Sequence, residues 1–132
     1  MNRVDKIILS ILALEHLGFG LYGLFSPEGI AELTGYGLNN EFAYSEIRAY
    51  YTLIFALGFI AFLSIFIHKL AKQTYILFTF IFSSILIGRV INYLLTGELV
   101  NTIILAMVAE VIVILLSLWR LAFFKYETKN ES

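Results

Sequence analysis

Four long apolar runs leave this 132-residue chain few ways to fold: Ile7–Phe25, Ala49–Ile67, Tyr75–Leu95 and Ile103–Phe124. A helix needs about 20 mostly apolar residues to cross the hydrocarbon core of a bilayer. Lipid offers the backbone no hydrogen-bond partners, so only helices and closed barrels span it. The runs lack the period-two alternation of barrel strands. Their many β-branched and aromatic residues favour strands in water, but at this length in lipid they read as helices. The expected fold is therefore an all-α integral membrane protein. It is an antiparallel four-transmembrane-helix bundle in a single domain, with spans at about 7–25, 42–69, 74–96 and 101–124.

Composition agrees. Hydrophobic residues make up 60% of the chain and charged residues 14%, against about 25% charged in a soluble domain. Cysteine is absent, which excludes disulfides, thiolate chemistry and cysteine-held metal clusters. No basic stripe is present, so nucleic acid is not an expected partner. The first run exceeds the roughly 7–15 apolar residues of a signal peptide. It ends in Phe25-Ser26-Pro27 rather than a small-residue cleavage pattern, so it is expected to persist as the first span.

Lys and Arg set the expected orientation. Arg3 and Lys6 precede the first span, Lys69 and Lys72 lie between the second and third, and Arg120, Lys125 and Lys129 close the fourth. An up-down-up-down path puts all seven on one side. The opposite loops hold Glu28, Glu32, Glu41 and Glu98 without Lys or Arg. Both termini are thus expected in the cytoplasm, with the chain in a bacterial inner membrane. Tyr36, Tyr44, Tyr50 and Tyr93 mark the outer interface, and Tyr75, Trp119 and Tyr126 the inner one, as an aromatic belt does.

The longest connection runs from Ser26 to Asn40. Ser26 as N-cap and Pro27 at the first position predict a short interfacial helix over 27–34. Ile30, Leu33 and Thr34 share one face of it, and Gly35 is its natural stop. The second spanning helix is expected to begin near Glu41, which places Arg48 about two turns in.

Each predicted span carries a charged residue well inside its ends or within its first turns: Glu15, Arg48, Arg89 and Glu110. Such a charge near the bilayer centre costs roughly 2.5–3.5 kcal/mol on insertion scales. It normally finds a partner or lines a site. Helical spacing places Glu15 with Gly18 and Tyr22, Arg48 with Tyr51 and Thr52, and Arg89 with Asn92, Tyr93 and Thr96. Met107, Glu110 and Ser117 fall roughly in line on the last helix. These short polar stripes are expected to turn inward, leaving the aliphatic faces to lipid.

Two readings of the charges stand side by side. Arg89 with Glu110, and Arg48 with Glu15 or Glu46, can be structural pairs that fix helix order. Alternatively Glu15, Arg48, Tyr51, Arg89, Asn92, Tyr93 and Glu110 form an outward-opening site for an anionic or carbonyl-bearing group. A proton relay through Glu15, His16 and Glu110 is a further option. His16 points about 100° away from Glu15 around the helix and reads better as a helix-interface residue. Gly18, Gly20 and Gly23 are spaced for close helix approach. No catalytic triad, phosphate loop or metal-ligand set is present, and no cofactor is expected.

Several of these residues resemble a known family. Leu17-Gly18-Phe19-Gly20, Ser26-Pro27-Glu28, Leu33-Thr34-Gly35 and Ser45-Glu46-Ile47-Arg48-Ala49-Tyr50, with Gly58, Gly88-Arg89 and Glu110, look like the small four-helix bacterial membrane proteins of the domain-of-unknown-function family 4345. The resemblance covers nearly the whole chain. It implies a four-helix membrane bundle and no activity. One departure is Tyr51, where the family usually has glycine. A looser similarity is to DoxX-like membrane proteins, some of which associate with quinone-linked oxidoreductases.

The resulting expectation is a non-enzymatic membrane protein. Its outward-facing polar pocket binds a small molecule, lipid or quinone, or the chain serves as an accessory subunit of a larger membrane complex. A small proton-coupled transporter and a purely structural assembly protein are the alternatives.

Overall fold

A computed structural model describes residues 1–130, with side chains through Phe124. The expected basic residues Lys125 and Lys129 and the belt residue Tyr126 therefore have side chains outside the described residues. The all-α class is as the apolar runs predict, with four helices long and apolar enough to cross a membrane. The chain is a multi-pass membrane protein by that criterion.

Helix α1 spans Arg3–Phe25. It starts ahead of its apolar run because Asn2 caps it, its Oδ1 accepting from the Val4 N–H at 3.1 Å. Helix α2 spans Pro27–Thr34. Ser26 is at once the last cap of α1 and the first of α2, and its hydroxyl makes no capping bond. The turn is carried instead by backbone bonds from Ser26 N–H to Tyr22 and from Ile30 N–H to Ser26. Pro27 and Ile30 are the buried residues of α2, while Leu33 is exposed. Gly35 ends the helix at φ 75°, a conformation that favours glycine.

Helix α3 spans Glu41–Phe66. Asn40 caps it, its Oδ1 accepting from the Ala43 N–H at 3.0 Å. A 3-10 turn over His68–Leu70 leads straight into α4, Ala71–Thr96. Gly97 turns the chain at φ 70°, its N–H bonded to the Tyr93 carbonyl at 2.8 Å. Helix α5 then runs from Asn101 to Asn130.

The chain divides into two compact units, Met1–Ala71 and Lys72–Ser132. The core of the first is the α1–α3 interface, where Leu9, Leu12, Leu57 and Ala61 are almost fully buried. Glycine lets these two backbones approach closely. A Cβ on Gly20 would lie 2.5 Å from the Phe55 Cα, and one on Gly58 2.5 Å from the Leu17 backbone nitrogen. Gly23 receives the ring of Tyr51. The close approach thus uses Gly20, Gly23 and Gly58, whereas Gly18 faces open space. Small residues of this kind form the usual contact between membrane helices, where dispersion replaces the hydrophobic effect.

In the second unit α4 and α5 run antiparallel. The rings of Tyr75 and Phe124 meet with centroids 6.2 Å apart. Arg89 bonds Glu110 further along. The two contacts are equally spaced on both helices, about 21 Å apart along each axis, so the pair is in register over that length. Tyr75, Phe78 and Phe82 form the buried aromatic face of α4, with the Phe78 and Phe82 rings stacked at 5.7 Å.

Candidate functional site

The sequence singles out seven residues, which lie in three settings. Arg89 and Glu110 are brought together. The Arg89 Nε–H donates to Glu110 Oε1 at 2.8 Å, forming an ion pair. Helical spacing puts each there: Arg89 continues the α4 face of Phe78, Phe82, Ile85 and Leu86, and Glu110 lies on the α5 face of Val113 and Ser117. Glu110 sits about 13 Å from the start of α5, and Arg89 about 10 Å from the end of α4. Both are well inside membrane-length helices.

The pair is unequal. The Glu110 side chain is 6% exposed and that of Arg89 31%. Each ion also has capacity to spare. Nε is a single donor on a guanidinium that carries two further terminal NH2 groups. Among the described residues those groups have no partner. Glu110 Oε2 is closed to solvent and likewise has no hydrogen-bond partner among them. A buried carboxylate oxygen in that state is costly. Ser117 Oγ, two turns along the same side of α5, is another such atom.

Asn92 and Tyr93 lie just beyond Arg89 on α4, and both are exposed. So is every residue from Ile91 to Thr102. The α4–α5 turn therefore forms an exposed tip, and the Arg89–Glu110 pair sits at its base. Thr96 Oγ bonds the Asn92 carbonyl at 2.9 Å, so that hydroxyl serves the helix end.

The first unit separates the residues that one reading would pair. The Gly20–Phe55, Gly23–Tyr51 and Gly58–Leu17 contacts fix the antiparallel register of α1 and α3. In that register Glu15 is level with the region of Phe59 and Ile60, and Arg48 with the start of α2. Glu15 and Arg48 are therefore roughly 18 Å apart along the helix axis, and the expected Arg48–Glu15 pair does not form. Glu46 lies two positions away on the same helix, where side chains diverge. Arg48 is exposed and lies over the Tyr44 ring at 5.8 Å. Among the described residues it makes no ion pair.

Glu15, Gly18 and Tyr22 do share a face, yet not the face that packs on α3. They line a shallow open groove of about 260 Å3 with Leu14 and Phe19. The α3-facing stripe of α1 is instead Leu9, Leu12, His16, Gly20 and Gly23. His16 is buried there beside Gly58, with Nδ1 2.8 Å from the Leu12 carbonyl oxygen. It is a helix-interface residue, as its position relative to Glu15 predicts. Tyr51 packs on Gly23 and forms an edge-on ring pair with Tyr50, centroids 5.3 Å apart. Its bulk fills the space that Gly23 leaves.

Sequence reasoning names Ser117 only as in line with Glu110, with no role. Its full burial on the α5 stripe is the signal that sets it apart. Among the described residues no three His, Asp or Glu side chains gather as metal ligands.

Comparison with known proteins adds one finding. The family described as Domain of unknown function (DUF4345) matches residues 4–121. Neither a curated protein nor a solved structure matches.

Proposed function

The chain belongs to that family of unknown function, and from its own side chains we propose that it binds the head of a small amphiphile at Arg89 and Glu110. The observation that carries this reading is Arg89 itself. It is a cation inside a membrane helix, one-third exposed, and both its terminal NH2 groups lack a partner among the described residues. A guanidinium so placed attracts a carbonyl or anionic oxygen strongly, because lipid offers it no competing water. The exposed tip from Ile91 to Thr102 leaves a way in, and Asn92 and Tyr93 supply further polar contacts along it. The distribution of Lys and Arg puts this end of the unit on the outer side of the membrane, with both termini in the cytoplasm. The ligand is then a membrane lipid, a quinone or a similar small amphiphile, held without chemistry. A role as accessory subunit of a larger membrane complex is compatible with such a site.

The test is native mass spectrometry of the full chain released from mild detergent. Wild type should carry a bound amphiphile of defined mass, and Arg89→Ala should fold without it. An Arg89→Ala protein that keeps the same adduct removes the proposal.

A structural reading draws on the same ion pair, since a buried pair can set helix register with little net stabilisation. It predicts a folded, ligand-free wild type.

A further inference from the structure

The open groove on α1 carries a chemistry of its own. It is lined by Leu14, Glu15, Gly18, Phe19 and Tyr22 and holds about 260 Å3. Every one of these residues comes from α1, so the groove belongs to the first unit alone. Gly18 is its floor, with open space where a side chain would stand. Glu15, Phe19 and Tyr22 project within about 60° of one another around the helix. The Tyr22 hydroxyl rests against Gly29 of α2, which holds the ring at the α2 end of the groove. Glu15 stands toward the other end, about 15 Å along the axis from the last residue of α1.

Glu15 decides what the groove suits. It is an exposed carboxylate inside a spanning helix, and among the described residues it makes no hydrogen bond or ion pair. Its neighbour His16 is turned to α3 and held at the Leu12 carbonyl. A charge at that depth draws a counter-charge, because lipid screens it poorly. An anion is repelled. A neutral apolar group gains nothing there over lipid tails, which are equally apolar. A hard metal ion keeps its water unless several oxygens replace it, and the groove offers one carboxylate and one phenol. An organic ammonium is weakly hydrated and is attracted to aromatic rings, which Phe19 and Tyr22 supply beside the carboxylate. The groove is open along its length, so a ligand enters from the side of the helix without displacing packed atoms.

We propose that this groove binds a small lipophilic organic cation, with its ammonium group at Glu15 and its apolar body over Gly18 against Phe19 and Tyr22. The volume lies below the roughly 300–1,000 Å3 of pockets for drug-sized ligands, which limits the body to one ring or a short chain. The site stands on the first unit and does not rest on the Arg89–Glu110 reading.

The test uses the full-length protein in nanodiscs of phosphatidylcholine, a lipid of no net charge. Equilibrium dialysis against benzyltrimethylammonium, with empty nanodiscs as the blank, measures binding. Wild type should bind the probe saturably above the blank. Neopentylbenzene has the same shape with carbon in place of the ammonium nitrogen, and it should not displace the probe. Phenylmethanesulfonate, of opposite charge, should not displace it either. Glu15→Gln should bind at least about tenfold more weakly. Gly18→Leu should do the same by filling the groove with no change of charge. Phe19→Leu keeps an apolar side chain without the ring and should bind about threefold more weakly. Glu46→Gln removes an exposed acid outside the groove and should bind as wild type does. Absence of saturable binding by wild type, as when a second copy or a partner helix covers the groove, overturns the inference. Undiminished binding by Glu15→Gln or by Gly18→Leu overturns it too, as does displacement by neopentylbenzene. The competition on wild type decides the matter even if a variant does not fold. None of these outcomes bears on the amphiphile at Arg89, so the two sites stand or fall separately.

Discussion

The two units hold their helices together in different ways. In Met1–Ala71 the α1–α3 contact is one of shape: glycines remove side chains so that backbones meet, and Tyr51 fills the remaining gap over Gly23. In Lys72–Ser132 the cross-helix contacts include an aromatic pair at one level and an ion pair at another. Among the described residues of the first unit no buried side-chain polar atom lacks a hydrogen-bond partner. The ion pair leaves Glu110 Oε2 and the Arg89 NH2 groups without a partner among the described residues. That difference is why the proposed function is placed on the second unit and not the first.

The contrast predicts opposite responses to substitution. The largest effect is expected in the second unit. Arg89→Met leaves Glu110 buried without its cation and should cost about 3 kcal/mol or more, the usual result of halving a buried pair. Replacing both partners, as Arg89→Met with Glu110→Leu, should recover most of the loss. Thermal unfolding in detergent of the single and double variants checks this. A double variant no more stable than the single one would mean that more than the pair depends on these positions.

A smaller loss is expected from crowding the first unit. Gly58→Leu forces a side chain toward the Leu17 backbone and should cost about 1–3 kcal/mol. Gly18→Leu enters open space and should change stability by less than about 0.5 kcal/mol. Equal losses at Gly58 and Gly18 would contradict the assignment of the α1–α3 contact face. The smallest effect is at the turn between α4 and α5. Gly97→Ala adds a Cβ at φ 70° and should cost about 1 kcal/mol through backbone strain alone, leaving ligand binding intact.

How much of this is legible from the sequence differs between the units for a physical reason. The four spans, the helix over 27–34 and the start of α3 near Glu41 follow from hydropathy, Ser-Pro, Gly35 and the turn residues up to Asn40, whose capping bond only the structure shows. Arg89 and Glu110 are readable as partners because they lie at similar distances from the two ends of the tight 97–100 turn, so their depths match. Arg48 and Glu15 are separated from their turn by different lengths, and the intervening 27–34 helix hides the register. Only the glycine contacts reveal it. Helix faces are harder still. In water one apolar stripe marks the buried side. In these helices nearly every face is apolar, so periodicity does not say that His16 and not Glu15 turns toward α3. Glycine spacing narrows the choice without making it, since Gly18, Gly20 and Gly23 are all present and Gly18 is the open one.

The most direct test of the account reverses the pair. Arg89→Glu combined with Glu110→Arg keeps the ion pair and moves its charges. A pair that only clamps α4 to α5 works either way round. A pair that also grips a head group does not, because the carboxylate then stands on the one-third-exposed side and the guanidinium in the closed one. Native mass spectrometry of this double variant should show a folded protein with near wild-type unfolding temperature and no bound amphiphile. A reversed-charge protein that retains the wild-type adduct at wild-type occupancy would contradict the assignment of Arg89 and Glu110 as the binding site.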